Sequence, residues 1–288
     1  MTPKIEAAIQ HNIKQANDKL KSRKSIFSLY GLLSTSSNEE IFEHLIKASD
    51  LCLTIGDLEK CCQLKEQALS LMTENNYQTY KEYEKLADIL SKIDINRSIE
   101  VYRKLIDFYI LESNYDKICF YCQLLSEIYA KNLEYDKTLE QLDNSLFYSY
   151  LSNKESNRRK ILQKYINCRL SHFPLDTDVI RECIVKIENY LENSKLYQTL
   201  ENEILINYFL FLIAYQDYVK IHRSINDHDF RSKTFILNVL KSVEENNSQA
   251  LSQFSYDYDQ IYKLTEVQVK LLFYIKQKIN EECEEDLT

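Results

Sequence analysis

Apolar residues recur at three- and four-residue steps along nearly the whole chain, the periodicity of helices that bury one face. Ile5, Ala8, Ile9, Ile13, Ala16 and Leu20 predict a first helix from Lys4 to Lys24. The pattern then fails. Ile26, Phe27, Leu29, Tyr30, Leu32 and Leu33 crowd together around Gly31, with Lys21, Arg23 and Lys24 before them and a run of Ser and Thr after. This reads as a loop over 25–37, with Ser37 and Glu40 as a capping box for the next helix. Such a loop either folds over a core or inserts its apolar side chains into a bilayer, with the cations meeting anionic headgroups.

From Asn38 to about Leu170 helices alternate with short breaks, at Gly56-Asp57, Asn75-Asn76, Asp94-Asn96, Ser113-Asn114 and Leu133-Glu134. Three segments echo one another at a spacing of roughly 40 residues, the scale of helix-pair repeats. They are Asp57 with Cys61 and Ala68, Asp94 with Ser98 and Leu105, and Glu134 with Thr138 and Ser145. In each an acid opens a helix, and a small or apolar residue falls where the paired helix approaches. The expected fold is all-α: a tetratricopeptide-like helical-hairpin solenoid over 38–175.

A break from Leu170 to Asp178 holds Pro174 and the capping residues Asp176, Thr177 and Asp178. Beyond it Ile204 to Tyr215 is apolar nearly all round, which requires burial on every side. A C-terminal helical bundle over 176–280 is therefore expected. One long helix from Asp259, with Ile261, Leu264, Val267, Leu271, Leu272, Ile275 and Ile279 on its inner face, closes it. Glu281, Glu282, Glu284, Glu285 and Asp286 then precede Leu287 and Thr288. This segment, 281–288, is read as an acidic tail, either inert or a handle for a basic partner with Leu287 as anchor.

Composition narrows the function. Only 2 Gly and 2 Pro occur in 288 residues, too few for the hairpin turns of a β protein. With Gly31 and Gly56 alone, no glycine-rich phosphate loop can form, which removes the nucleotide-binding signatures. A formal net charge of -8 argues against nucleic acid as a partner. Neither a membrane-spanning apolar window nor a secretory signal is visible, and a cytoplasmic protein is expected. Of the eight cysteines, Cys119 and Cys122 form a CxxC, but within a helical run and without a second pair or a suitably spaced His, so both are read as buried small residues. His222 and His228 fall on different helix faces and are read as surface residues. No catalytic constellation, metal site or cofactor site is expected. Cations do cluster locally: Arg97, Arg103 and Lys104, then Lys117, then Arg158, Arg159, Lys160 and Lys164. Sharing a face, they would suit an acidic partner; otherwise they are ordinary solvated helix residues.

The order of these segments resembles the soluble NSF attachment proteins, the SNAP adaptors, most closely their alpha type. Lys24-Ser25-Ile26-Phe27-Ser28-Leu29-Tyr30-Gly31-Leu32 looks like that family's membrane-attachment loop. Asp94 to Tyr109 followed by Ser126-Glu127-Ile128-Tyr129 is similar to its central repeats. Arg231 falls on a family arginine, and Val243 to Asn247 resembles a family segment. Asp257 to Ile279 with Glu284-Glu285-Asp286-Leu287 tracks the closing helix and its Glu-Glu-Asp-Leu end.

The resemblance implies an adaptor without an active site. It would be a monomer in solution, with several copies coating one SNARE four-helix bundle through the solenoid's concave face and recruiting the hexameric AAA ATPase NSF. It implies a membrane loop of Ile26, Phe27, Leu29, Tyr30, Leu32 and Leu33, and peripheral membrane association. It implies SNARE binding by Lys117, Arg158, Arg159, Lys160, Lys164 and Arg231, and ATPase binding by Glu284, Glu285, Asp286 and Leu287. Two departures stand out: Phe120 occupies the place of a family lysine, and Thr288 that of a terminal Arg. A generic tetratricopeptide-like scaffold that takes a peptide without an ATPase partner is the alternative.

Overall fold

The computed structural model of the chain describes residues 2–27, 35–72, 77–152, 155–193, 202–228 and 230–285; within these, the side chains of Thr2, 23–27, 35–37, 155–156 and 283–285 are not described. Fourteen helices and no strand occur among the described residues. They are α1 (Thr2–Phe27), α2 (Thr35–Thr54), α3 (Leu58–Ser70), α4 (Tyr77–Ile93), α5 (Ile95–Leu111), α6 (Tyr115–Lys131) and α7 (Tyr135–Leu151), followed by α8 (Glu155–His172), α9 (Thr177–Asn193), α10 (Asn202–Ala214), α11 (Tyr218–Ser224), α12 (Lys233–Glu244), α13 (Ser248–Tyr262) and α14 (Glu266–Glu285). This is the expected all-α, tetratricopeptide-like helical-hairpin fold. The chain forms two compact units, residues 1–121 and 122–288.

Five corners between successive helices share one construction. Gly56, Ser113, Leu133, Gln216 and Asn246 each take a left-handed backbone, with φ between 48° and 80°. The next residue's N–H then bonds the carbonyl five positions back: Asp57 to Cys52 at 3.0 Å, Asn114 to Tyr109 at 2.9 Å, Glu134 to Tyr129 at 2.9 Å, Asp217 to Leu212 at 3.0 Å and Asn247 to Ser242 at 2.8 Å. This closes the ending helix as a Schellman motif. The same residue opens the following helix. Asp57, Asn114, Asp217 and Asn247 accept from the N–H three positions on, as N-caps do. One residue thus ends one helix and starts another, so only three residues separate the two helices and almost no glycine is needed.

In the first unit α1 packs on α2, α2 on α3, α3 on α4 and α4 on α5. Cys61 and Ala68 on α3, with Ser98 and Leu105 on α5, are fully buried, as the echoing segments predict. The small size of Cys61, Ala68 and Ser98 lets neighbouring helices approach. In the second unit α7, α8 and α9 pack in succession, and Thr138 and Ser145 of α7 are likewise buried. Helix α10 is the centre of the remainder: every residue from Ile204 to Ala214 is buried, and α9, α11, α12 and α14 lie against it. Val267, Leu271, Leu272, Ile275 and Ile279 form the buried face of α14. Gln268 joins the two helices by donating to Asn207 Oδ1 at 3.1 Å inside the core.

Three expectations are corrected. The closing helix is not continuous: Lys263 takes φ +54°, ending α13, and α14 starts at Glu266. Ile261, assigned to the inner face, is exposed, because the corner at Lys263 breaks the register that placed it there. At its other end α14 continues through Glu281 to Glu285, so the first five residues of the presumed tail are helical. Finally, α1 runs to Phe27 and α2 starts at Thr35, which puts Ser37 inside a helix rather than at its cap.

Candidate partner-binding surfaces

The four neighbouring cations of α8 have different environments, set by helix geometry. Ile161, Leu162, Tyr165, Ile166 and Leu170 face inward, and Arg158 lies on the same side. It is 4% exposed. Its guanidinium donates to the Ser149 carbonyl from Nε and Nη2, to the Asn193 carbonyl at 3.2 Å from Nη1, and stacks 4.7 Å from the Tyr150 ring centroid. Arg158 therefore ties the ends of α7 and α9 to α8, and the expectation of a surface cation there is corrected. Two positions along, Lys160 is exposed and has no ion pair among the described residues. Lys164, one turn further, is exposed and bonds Glu127 Oε1 at 2.8 Å. Asn167 and Ser171 continue this outward stripe. Arg159 lies between the two faces, half-buried.

Lys117 is tied into the first unit. Its ammonium donates to Glu84 Oε1 at 2.8 Å and lies 5.8 and 5.9 Å from the ring centroids of Tyr109 and Tyr121. Both tyrosine hydroxyls donate to the same Glu84 oxygen at 2.7 Å. Burial raises the Glu84 carboxyl, but the hydrogen bonds from Lys117, Tyr109 and Tyr121 outweigh it and hold the group below its ordinary value. Phe120, adjacent to this cluster, is half exposed and packs edge-on against Tyr121. Arg231 is exposed, 5.9 Å from the Tyr262 ring.

At the C-terminal end Glu281 and Glu282 are exposed on the last turns of α14. Glu281 accepts from Lys278 and Glu282 from Gln216, each at 2.8 Å. Only the helical backbone is described for Glu284, Glu285, Ile26 and Phe27; Asp286 and Leu287, like Leu29, Tyr30, Leu32 and Leu33, lie outside the described residues.

One charge cluster around a buried lysine left only a faint mark in the pattern. Lys65 of α3 is fully buried and donates to Glu82 at 2.6 Å and Asp50 at 3.0 Å, while Lys85 also bonds Glu82 at 2.6 Å. Lys65 sits one turn after Cys61 on the buried face, a polar residue at an apolar position, which is the only signal the sequence offers. Cys119 and Cys122 are buried as expected. Burial pushes the Cys62 thiol up to about 11 and that of Cys183 up to about 12, so both stay protonated. No group of three metal-ligating side chains occurs among the described residues, and no described helix is long and apolar enough to cross a membrane.

The sequence model of a family described as soluble NSF attachment protein, SNAP, matches residues 7–280, from α1 to the last buried turn of α14. The chain belongs to the SNAP family. SNAP membership implies an adaptor role for NSF in SNARE disassembly, in a family of adaptors rather than enzymes. No curated protein matches this sequence. Among solved structures the chain is similar to the crystal structure of BtubC (BKLC) from P. vanneervenii, with 15% identity over 82% of this SNAP chain and 91% of that one, at a TM-score of 0.36.

Proposed function

We propose that this chain is an alpha-type SNAP that grips assembled SNARE bundles and presents an acidic end to NSF. The observation that carries the proposal is the family match up to residue 280, on a closing helix that continues to Glu285. Its buried face holds α14 on the core as far as Ile279, and the carboxylates begin two residues later. Glu284, Glu285 and Asp286 supply long-range attraction to a basic ATPase domain, and Leu287 fills an apolar site at contact range.

For the SNARE bundle, an acidic surface is met by Lys160, Lys164 and Arg159 on α8, with Arg231 and Lys117 contributing elsewhere. Arg158 is not part of this set, because its charge is spent on backbone carbonyls inside the fold. The functional parts run in chain order: an amphipathic helix (1–24), a membrane-attachment segment (25–37) that takes in the last residues of α1 and the first of α2, the solenoid (38–175), the bundle (176–280) and the acidic end (281–288). The loop holds the protein peripherally on membranes through Ile26, Phe27, Leu29, Tyr30, Leu32 and Leu33.

The test is a disassembly assay with recombinant SNARE complex, NSF and ATP, comparing the full chain with a truncation after Asn280. The truncated chain is expected to bind SNARE complex but fail to recruit NSF. Undiminished ATP-dependent disassembly would overturn the adaptor reading and leave a peptide-binding scaffold in its place.

A further inference from the structure

Within the second unit, α7 and α9 bound a cleft floored by α8, on the side of α8 away from Lys160 and Lys164. It has a volume of about 460 Å³ at the α7 N-terminal end. A smaller cleft of about 240 Å³ follows along the same two helices, and Asp143 and Lys186, which bond each other, lie where the two meet. From Asp136 to Phe147 the groove extends for about 16 Å along α7.

Its chemistry is uneven. Asp136 and Glu140 stand one turn apart on α7, exposed, and neither has an ion pair among the described residues. The cations that face the groove are already engaged: Arg169 with Glu182 at 3.3 Å, and Lys186 with Asp143. Glu182 also accepts from the Tyr165 hydroxyl. Two carboxylates are thus left over beside an apolar wall of Leu139 and Phe173, and Phe147, 58% exposed, flanks the far end.

We propose that this groove docks a basic segment of a partner protein, with a lysine or arginine at Asp136 and Glu140 and an apolar side chain against Phe147. Charge complementarity selects the occupant. An acidic surface is repelled here and attracted to the outward stripe of α8, so the two sides of one three-helix layer take partners of opposite charge. The long aliphatic stems of Lys and Arg suit Leu139 and Phe173, while their heads reach the carboxylates. The proposal goes beyond the SNARE and NSF contacts and does not depend on them.

The probe is a fluorescein-labelled amphipathic peptide of 14 residues built from Lys and Leu, read by fluorescence anisotropy against the full-length protein, with a Glu/Leu peptide of the same pattern as comparison. The Lys/Leu peptide is expected to bind and the Glu/Leu peptide not. Asp136→Lys with Glu140→Lys is expected to weaken binding at least tenfold, and Phe147→Ser severalfold. A charge-matched control in the first unit, Glu100→Lys with Asp107→Lys, is expected to leave it within twofold, and Lys160→Glu with Lys164→Glu not to weaken it. Circular dichroism confirms that each variant is folded. Equal loss in the charge-matched control, equal binding of the Glu/Leu peptide, or no binding of the Lys/Leu peptide overturns the proposal.

Discussion

Arg158 donates two hydrogen bonds to the carbonyl oxygen of Ser149, at 3.3 and 3.2 Å. That oxygen belongs to the last turns of α7, where carbonyls have no partner within their own helix. Replacing Arg158 with Ala removes both of these bonds, leaving that oxygen only the Ser152 hydroxyl, which donates at 3.1 Å, and takes the guanidinium away from the part-buried Asn193 carbonyl. A loss of about 2–4 kcal/mol in urea unfolding is expected. Lys160→Ala, two residues away and exposed, is expected to change stability by less than about 0.5 kcal/mol. Equal effects would mean that the guanidinium contributes nothing inside the fold.

Glu84 gives the fold a defined acid dependence. Its folded value lies below its unfolded one, so its contribution is complete above the unfolded carboxyl range and is lost as pH falls through the folded value. Glu84→Gln is expected to lower stability by about 1–3 kcal/mol at pH 7. The gap from the parent chain should narrow as the pH is lowered through 4. A constant gap from pH 7 to pH 3 would show that the charge on Glu84 is immaterial.

Alkaline pH acts through the tyrosines. Burial, and then hydrogen bonding to a glutamate, raises the hydroxyls of Tyr109, Tyr121, Tyr165 and Tyr208 above their ordinary value. Groups raised in this way contribute stability below the unfolded tyrosine value of about 10 and lose it as pH climbs further. The unfolding midpoint is expected to drop steeply above that pH. Replacing Tyr109 and Tyr121 together with Phe should flatten the drop; an unchanged pH profile would exclude these two hydroxyls as its source.

The corners make opposite predictions for glycine. Leu133 is exposed at φ +61°, and Gln216 holds the same value. A left-handed backbone costs a side chain-bearing residue roughly 1–2 kcal/mol, partly offset when glycine loosens the unfolded chain. Leu133→Gly is thus expected to stabilise by up to about 1 kcal/mol. Gly56→Ala is expected to destabilise by about 1 kcal/mol although an added methyl would meet no atom within 4 Å, since the strain lies in the backbone alone. Thermal melts of the two variants moving in the same direction would refute this account.

The outward cations of α8 predict salt-sensitive SNARE binding. Lys160→Glu with Lys164→Glu is expected to slow association more than it speeds dissociation, with the deficit shrinking as added salt shortens the screening length below about 8 Å. Association rates that ignore both the substitution and the salt would place the SNARE contact on another face. On the membrane side, Phe27→Ser with Leu29→Ser is expected to weaken flotation with liposomes while leaving helical circular dichroism intact.

By itself the sequence determined the features that depend on a short window. The small residues at the paired positions of α3, α5 and α7, the all-round burial of α10, and the corners at Asp57, Asn114 and Glu134 follow from periodicity, size and capping chemistry, and these act over a few residues. The order of segments also carried the family. Tertiary structure decided which cations face out. Arg158 and Lys160 are both cationic helix residues in one run, and only the packing of α7 and α9 against α8 separates them, through a carbonyl 35 residues further along the chain. It likewise decided that Lys65 lies inside, because the carboxylates that neutralise it come from two other helices. The end of α13 at Lys263 was hidden for a related reason: the apolar steps run on through Ile261 and Leu264, and only the positive φ of Lys263 breaks their register. Periodicity reports how often a face recurs. Which neighbour meets that face is a property of contacts distant in sequence.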